Sequence, residues 1–248
     1  MTSALRIDRV SRVFGGLQAV RDVSFDVEPG ARLAIIGPNG AGKTTLFNLI
    51  SGELPCTGGR IVAFERDITR LAAHRRAAAG LGRTYQLTNL FPRLTVLENL
   101  LLAAQALQRV RYVALRPIRI YAQLYERART LLEPLNLWEA RGVPVAELSY
   151  GDQRQLEIAL ALATQPRILL LDEPTAGLSP AETQHVLCII RGLPREITIL
   201  LIEHDMAVVF GVCERIVVLH QGEVVAAGAP DAVARDARVQ EIYLGVRT

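Results

Sequence analysis

Gly37-Pro38-Asn39-Gly40-Ala41-Gly42-Lys43-Thr44 sets two glycines, a lysine and a hydroxyl residue at the spacing G-x-x-x-x-G-K-T, with Thr45 next in line. These residue types at this spacing make a phosphate cradle. Glycines let the backbone wrap closely around phosphate oxygens, and the freed amides and the positive end of a following helix then face the anion. Lys43 can reach the β and γ phosphates as a point charge, and the Thr44 hydroxyl can ligate Mg²⁺. The chain holds 27 arginines and one lysine, and that lysine is Lys43. A guanidinium is broader and flatter than an ammonium, so arginine fits the cradle badly. A second element of phosphate chemistry lies downstream, where Ile168-Leu-Leu-Leu171 runs into Asp172 and Glu173. Asp172 is placed to hold Mg²⁺, directly or through water, and Glu173 to polarise a water for in-line attack.

These groups need elements to carry them. ARLAII before Gly37 reads as a buried strand, and Thr44 to Ser51 as a helix with Gly52 as its C-cap. The first 30 residues alternate apolar and polar as half-buried strands do, and TGGRIVAF adds a further strand pair before a basic helix around 72–79. From about Leu87 to Glu147, Leu, Ala, Gln and Arg dominate at helical spacing, which predicts a helical subdomain. From Ser149 onward, helices alternate with the strands RILLLDE, ITILLIE and RIVVLH, and a hairpin and a terminal helix follow. That alternation predicts an α/β fold with a mostly parallel core sheet. The carboxylates then sit at the C-terminal end of a parallel strand, where such sheets bind ligands.

Composition sets the outer limits. Half of the 248 residues are hydrophobic and 21% are charged, which is enough for a core and excludes a disordered chain. The formal charge of +3 is too balanced to suggest a nucleic-acid binder. No run reaches 18 apolar residues, and the opening MTSALRIDRV lacks the apolar stretch of a signal peptide, so folding in the cytoplasm is expected. Cys56, Cys188 and Cys213 form neither a zinc pattern nor a disulfide framework.

The phosphate elements together mark a P-loop NTPase. No Asn-Lys pair occurs, which removes the guanine-reading loop of GTPases. Leu148-Ser149-Tyr150-Gly151-Asp152-Gln153, with Ser149 lying 23 residues before Asp172, narrows the class. By itself Ser149 is a good N-cap, and Leu156, Ala159, Leu160 and Ala163 fall on one helix face. The stretch also resembles the Leu-Ser-Gly-Gly-Gln signature of the ABC ATPases, with Tyr150 in the third position and the Ser, Gly and Gln-like positions matched. Gln86 lies where that family has its Q-loop glutamine, His204 where it has its switch histidine, and Phe14 where an aromatic stacks on adenine.

The resemblance covers nearly the whole chain and implies a single ATP-binding domain. Residues 1–86 and 149–248 would form the nucleotide-binding core with an antiparallel β subdomain near the N-terminus, and 87–148 the helical subdomain. It also implies that two such domains sandwich two ATP molecules head to tail. The cofactors are then ATP and Mg²⁺. Glu173, His204 and Gln86 take the catalytic roles. Thr44, Gln86 and Asp172 surround the metal, while Ser149, Gly151 and Asp152 complete the γ-phosphate site of the partner domain. The D-loop of the family often carries Asp where this chain has Ser179, a departure at a cross-dimer contact.

The strings FGGLQAV, GRTYQLTNLFPRLTVLENL, LSYGDQRQLEIALALA, DEPTAGLSPAET, LIEHDM and EIYLG resemble the LivG-type branched-chain amino acid importer ATPases. The long span of 62 residues between Gln86 and Ser149 is similar too, and 44 residues after His204 leave no room for a regulatory domain. The resemblance implies an energy-coupling subunit at the cytoplasmic face of the inner membrane. Its partners would be two permeases, a second ATPase and, indirectly, a substrate-binding protein; nucleic acid would not be among them. ATP-driven closure would push permease helices through a cleft beside Gln86, lined near Leu87–Phe91. Urea and short-chain amide importers carry similar ATPases and are the alternative. A soluble ABC ATPase acting on DNA or ribosomes usually has a coiled-coil insertion or two ATPase units, which this chain lacks. A non-hydrolysing partner often lacks the carboxylate that Glu173 supplies. Arg109, Arg111, Arg116 and Arg119 form either a solvated helix face or a contact with a permease loop or anionic headgroups.

Overall fold

The computed structural model describes residues 3–84, 90–106 and 118–244, arranged in two compact units. The expectations for Gln86, Leu87, Arg109, Arg111 and Arg116 therefore lie outside the described residues. Among the described residues, no helix is long and apolar enough to cross a membrane.

The first unit comprises Met1–Leu81, Arg167–Glu173 and Leu193–Thr248. It opens with β1 (Leu5–Phe14) and β2 (Leu17–Val27), which pair antiparallel, then β3 (Arg32–Ile36) and α1 (Lys43–Ser51). Next come β4 (Gly58–Ala63), β5 (Arg66–Asp67), α2 (Ala73–Ala78) and β6 (Leu81–Arg83), on which the chain passes out of this unit. It returns as β7 (Ile168–Asp172) and closes with β8 (Thr198–Ile202), α7 (Met206–Val212), β9 (Arg215–His220), β10 (Glu223–Gly228), α8 (Pro230–Ala234) and α9 (Ala237–Leu244). One sheet runs β2-β1-β4-β5 and is antiparallel; the other runs β10-β9-β3-β8-β7-β6. In the larger sheet β9, β3, β8 and β7 are mutually parallel, and β10 turns back antiparallel on β9. Every residue of β3, β7 and β8 is buried, which is why these strands read as continuous apolar runs. Leu5 and Ile7 of β1, Leu33 and Ile35 of β3, Phe47 and Ile50 of α1, and Leu200 and Ile202 of β8 share one core.

The register of the parallel strands governs what happens at their ends. Ile35 pairs with Ile202, and Ile202 pairs with Asp172. The residues that follow, Gly37, Glu173 and Glu203-His204, thus leave the sheet along one edge, although they are far apart in sequence.

Arg76 braces the far end of α1. The side chain is 1% exposed and its guanidinium donates to the carbonyls of Leu49 (2.6 Å), Ile50 (2.8 Å), Leu71 (2.8 Å) and Thr69 (2.9 Å). It satisfies carbonyls that a helix C-terminus leaves open and opposes the negative end of the helix dipole. Gly52 has φ +85, and a Cβ there would lie 2.7 Å from Arg76 Nε, so this C-cap is glycine for two reasons.

The second unit comprises Gly82–Pro166 and Pro174–Gly192. Its helices are α3 (Val96–Ala106), α4 (Ile118–Leu132), α5 (Tyr150–Ala163) and α6 (Pro180–Gly192). This is wider than the 87–148 expected from composition, because α5 belongs to the same core as α3 and α4. Val96, Leu100, Leu124, Ala128, Leu132, Leu156, Ala159 and Ala163 form that core, with Ile189 of α6 packed against it. The single stripe anticipated on α5 is also too narrow. Arg154, Gln155, Glu157 and Ile158 are buried as well, whereas Leu160 is only half-buried.

Candidate active site

The glycine-rich loop joins β3 to α1 and each of its glycines has a distinct task. Gly37 (φ +153) is buried, and a Cβ there would overlap the Leu219 carbonyl oxygen. Gly42 (φ +98) is the N-cap of α1, and a Cβ would stand 2.5 Å from the Ala19 carbonyl oxygen. Gly40 (φ +79) faces open space, with nothing within 4 Å of where a Cβ would be. Its left-handed backbone is thus required by the turn of the loop and not by crowding. Asn39 and Gly40 form the exposed crest, Pro38 is half-buried and Ala41 is buried. Among the described residues, no side chain caps the N-terminus of α1. Its first amides are aimed, with the positive end of the helix, at the concavity of the loop.

Lys43 is held inside this loop. Its ammonium donates to the Gly37 carbonyl at 2.6 Å and to the Pro38 carbonyl at 3.0 Å, and the residue is 8% exposed. Burial lowers its pKa, and the charges of Glu173 and Asp172 act the other way. Thr44 is exposed at the start of the helix and Thr45 is half-buried behind it.

At the end of β7, Asp172 is 1% exposed and Glu173 is half-buried. Glu173 has φ +47, an uncommon conformation for a residue with a side chain, and its amide donates to the Ile202 carbonyl at 3.0 Å. The backbone holds this carboxylate in strain, as functional sites often do. At the end of β8, the His204 side chain is 66% exposed, and its amide donates to Glu203 Oε2 at 3.1 Å. His204 Nδ1 lies 3.8 Å from the same oxygen, and Glu203 is fully buried. Asp205 then caps α7 by accepting from the Ala207 amide at 2.8 Å. Phe14, at the end of β1, is 40% exposed. The Arg12 guanidinium carbon stands 4.5 Å from its ring centroid, and Arg12 Nη1 donates to the Pro55 carbonyl at 2.9 Å.

The first unit thus brings together Gly37 to Thr45, Asp172, Glu173 and His204. Ser149, Gly151 and Asp152 belong to the helical unit. Ser149 is the N-cap of α5: its hydroxyl accepts from the Asp152 amide at 3.1 Å and donates to Asp152 Oδ2 at 2.8 Å. Gly151 is buried in the first turn. Ser179 caps α6 in the same manner with Glu182, the Ser179 amide and hydroxyl donating to Glu182 Oε2 at 2.8 and 2.6 Å.

Sequence reasoning passed over Glu203, Arg12, Arg76 and Glu182. Glu203 left one signal, an acid directly behind the four apolar strand residues Ile199–Ile202. Arg12 and Arg76 were hidden among 27 arginines.

Among the described residues, no group of three or more His, Cys, Asp or Glu could hold a metal alone. The Thr44 hydroxyl, in the first turn of α1 after β3, and the Asp172 carboxylate, at the end of β7, are hard oxygen donors at the same end of the sheet, with β8 between the two strands. That donor set suits Mg²⁺, which is usually held by one or two carboxylates together with substrate phosphates.

Comparison with known proteins agrees with this geometry. Residues 20–176 match the ABC transporter family model. The high-affinity branched-chain amino acid transport ATP-binding protein LivG of Salmonella typhimurium is 42% identical, over 97% of each chain. A nucleotide-free ATP-binding cassette from an ABC transporter superposes with a TM-score of 0.85 at 31% identity, over 99% of this chain and 100% of that one. A dimeric cassette in a post-hydrolysis state, bound to ADP and phosphate, gives a TM-score of 0.78 at 26% identity, over 91% and 98%. The cradle around Lys43, the paired carboxylates at the end of β7 and these likenesses have one explanation: the chain belongs to the ABC transporter family, as an ATP-hydrolysing subunit.

Proposed function

We propose that this subunit couples ATP-driven closure of a pair of ATPase domains to the uptake of branched-chain amino acids. The observation that carries the ATPase part is the register that places the Lys43 loop, Asp172, Glu173 and His204 at one sheet edge. The amino acid part rests on 42% identity to a branched-chain amino acid transport protein over nearly the full chain. The partners in this reading are two permeases, a second ATPase subunit and an external binding protein. The site of action is the cytoplasmic face of the inner membrane.

The chemistry assigned to each residue follows from its setting. The loop amides from Asn39 to Thr45 and the Lys43 ammonium bind the β and γ phosphates of ATP. To do so, Lys43 trades its bonds to the Gly37 and Pro38 carbonyls for phosphate oxygens, an exchange that costs little because both partners are polar. Phe14 offers one ring face to adenine while Arg12 lies against the other. Thr44 and Asp172 hold Mg²⁺, which supplies neutralisation of charge on the phosphates during transfer. Glu173 orients the attacking water and accepts its proton as oxygen bonds to the γ phosphorus and the bond to the bridging oxygen of ADP breaks. His204 donates to the γ-phosphate oxygens from its place beside Glu203, and Gln86 serves catalysis and the metal together with Thr44 and Asp172. Ser149, Gly151 and Asp152 serve the γ phosphate held by the partner domain.

A mild-detergent pull-down of the tagged chain from its own cells, with every co-purifying chain identified, tests the transport assignment. Two multi-span permeases and a second ATPase are expected. The recovered complex in proteoliposomes should take up leucine only with ATP. Recovery of soluble partners alone, or transport of urea in place of leucine, overturns it.

A further inference from the structure

The third position of the signature, Tyr150, carries a ring where the family pattern has glycine, and that ring has specific neighbours. A Cβ built on Gly177 would meet Tyr150 Cε1 at 3.1 Å and the hydroxyl oxygen at 3.7 Å. Gly177 has φ +77, so the left-handed turn of the segment after Pro174 lies directly against the tyrosine ring. The Arg154 guanidinium also stands 5.4 Å from the ring centroid and is itself fastened to Glu157 at 2.9 Å, both side chains being buried. The ring is thus anchored by a buried ion pair and applied to bare backbone.

A second contact joins the same two segments. A Cβ on Gly151 would overlap Glu182 Oε1, so the first turn of α5 is in close contact with the Glu182 carboxylate. The other oxygen of that carboxylate accepts from the amide and hydroxyl of Ser179. These bonds hold its pKa below the usual carboxylate range. Glu182 therefore touches the signature with one oxygen and the D-loop position with the other.

From these contacts we propose that Tyr150 and Glu182 are positioning residues that clamp residues 175–179 to the first turn of α5, so that the signature and the D-loop engage the partner's nucleotide as one body. The proposal rests on the reading of Ser149 and Gly151 as the partner's γ-phosphate site. It also accounts for Ser179. Where the family often has Asp, a serine suffices here because Glu182 three residues later completes a capping box. With glycine at position 150, the 175–179 turn would lose its packed face and could reorient independently of Ser149.

Two readouts on the full chain test the clamp. Hydrogen exchange of the 175–182 amides in Y150A should run at least tenfold faster than in the parent, and Y150F, which keeps the ring, should restore the parent rate. In the assembled transporter, Y150A should lower kcat roughly tenfold to a hundredfold, as small misplacements of reacting groups do. The KM for ATP should stay unchanged, since Lys43 and Phe14 are untouched, and Y150F should again rescue. E182A should reproduce both effects and stands in if Y150A does not accumulate. Parental exchange or parental kcat in both Y150A and E182A overturns the clamp, and so does a Y150F as impaired as Y150A. S149A separates the two layers. If S149A keeps full turnover, the phosphate reading fails; if it loses turnover while Y150A remains parental, only the clamp fails.

Discussion

The Lys43 ammonium lies 2.6 Å from the Gly37 carbonyl oxygen, six residues back along the same loop. The only lysine of the chain is thereby held in a ring of its own backbone, at a point where one ammonium fits and a planar fork does not. Lys43→Ala should reduce ATP turnover by about 100-fold or more, the scale seen when one preorganised donor to a reacting oxygen is removed. Lys43→Arg should fail to restore it despite keeping the charge. Steady-state phosphate release and equilibrium ATP binding measure both effects; turnover in the arginine variant near the parent level would show that charge alone matters.

Glu173 stands at φ +47 with a carboxylate aimed from the end of β7. Two substitutions separate the chemistry from the strain. Glu173→Gln should abolish hydrolysis while ATP binding persists, because the amide cannot take up the proton of the attacking water. Glu173→Gly should be equally inactive yet gain up to about 1 kcal/mol in stability, since glycine adopts a left-handed backbone without a Cβ penalty. Denaturant midpoints together with turnover read the two outcomes, and a destabilised glycine variant would remove strain from the account.

Arg76 supplies hydrogen bonds to four carbonyls from a fully buried position. Arg76→Met fills the volume but leaves those carbonyls without their donor, at a cost of about 3 kcal/mol or more. Arg76→Lys should recover only part of this, because an ammonium cannot span four acceptors arranged around a fork. Chemical denaturation is the measurement. ATP affinity should fall along with stability, since the braced helix is the one that opens with Lys43.

Cys213, at the end of α7, is buried, and its thiol pKa is pushed from 9.0 up to about 12. A thiol held protonated in the folded chain but free to ionise in the unfolded chain makes stability fall as pH rises. The full contribution is present below pH 9.0 and is lost progressively up to about pH 12. The slope is about 1.4 kcal/mol per pH unit within that window. Cys213→Ala should flatten the alkaline decline in melting temperature between pH 9 and 10.5 relative to the parent. Parallel declines in the two proteins would show that the thiol does not titrate in this way.

What the sequence alone determined is local. The eight residues from Gly37 to Thr44 form their cradle through consecutive backbone, so type and spacing were sufficient, and Ser149 announced itself as a cap because its partner, Asp152, is only three residues away. Buried parallel strands were readable because both faces of β3, β7 and β8 meet protein, so their residues are apolar except Arg32, Asp172 and Thr198 at the strand ends. Tertiary structure decided everything that depends on register and shared packing. Asp172 comes level with Ile202, and so beside the Lys43 loop, through strand pairing across gaps of 30 and more residues, which no periodicity encodes. The burial of Glu203 beneath His204, the membership of α5 in the core of α3 and α4, and the approach of Tyr150 and Glu182 to the 175–179 turn have the same origin. A side chain's type tells what it can bind, but its partner is whichever residue the packed chain brings within reach.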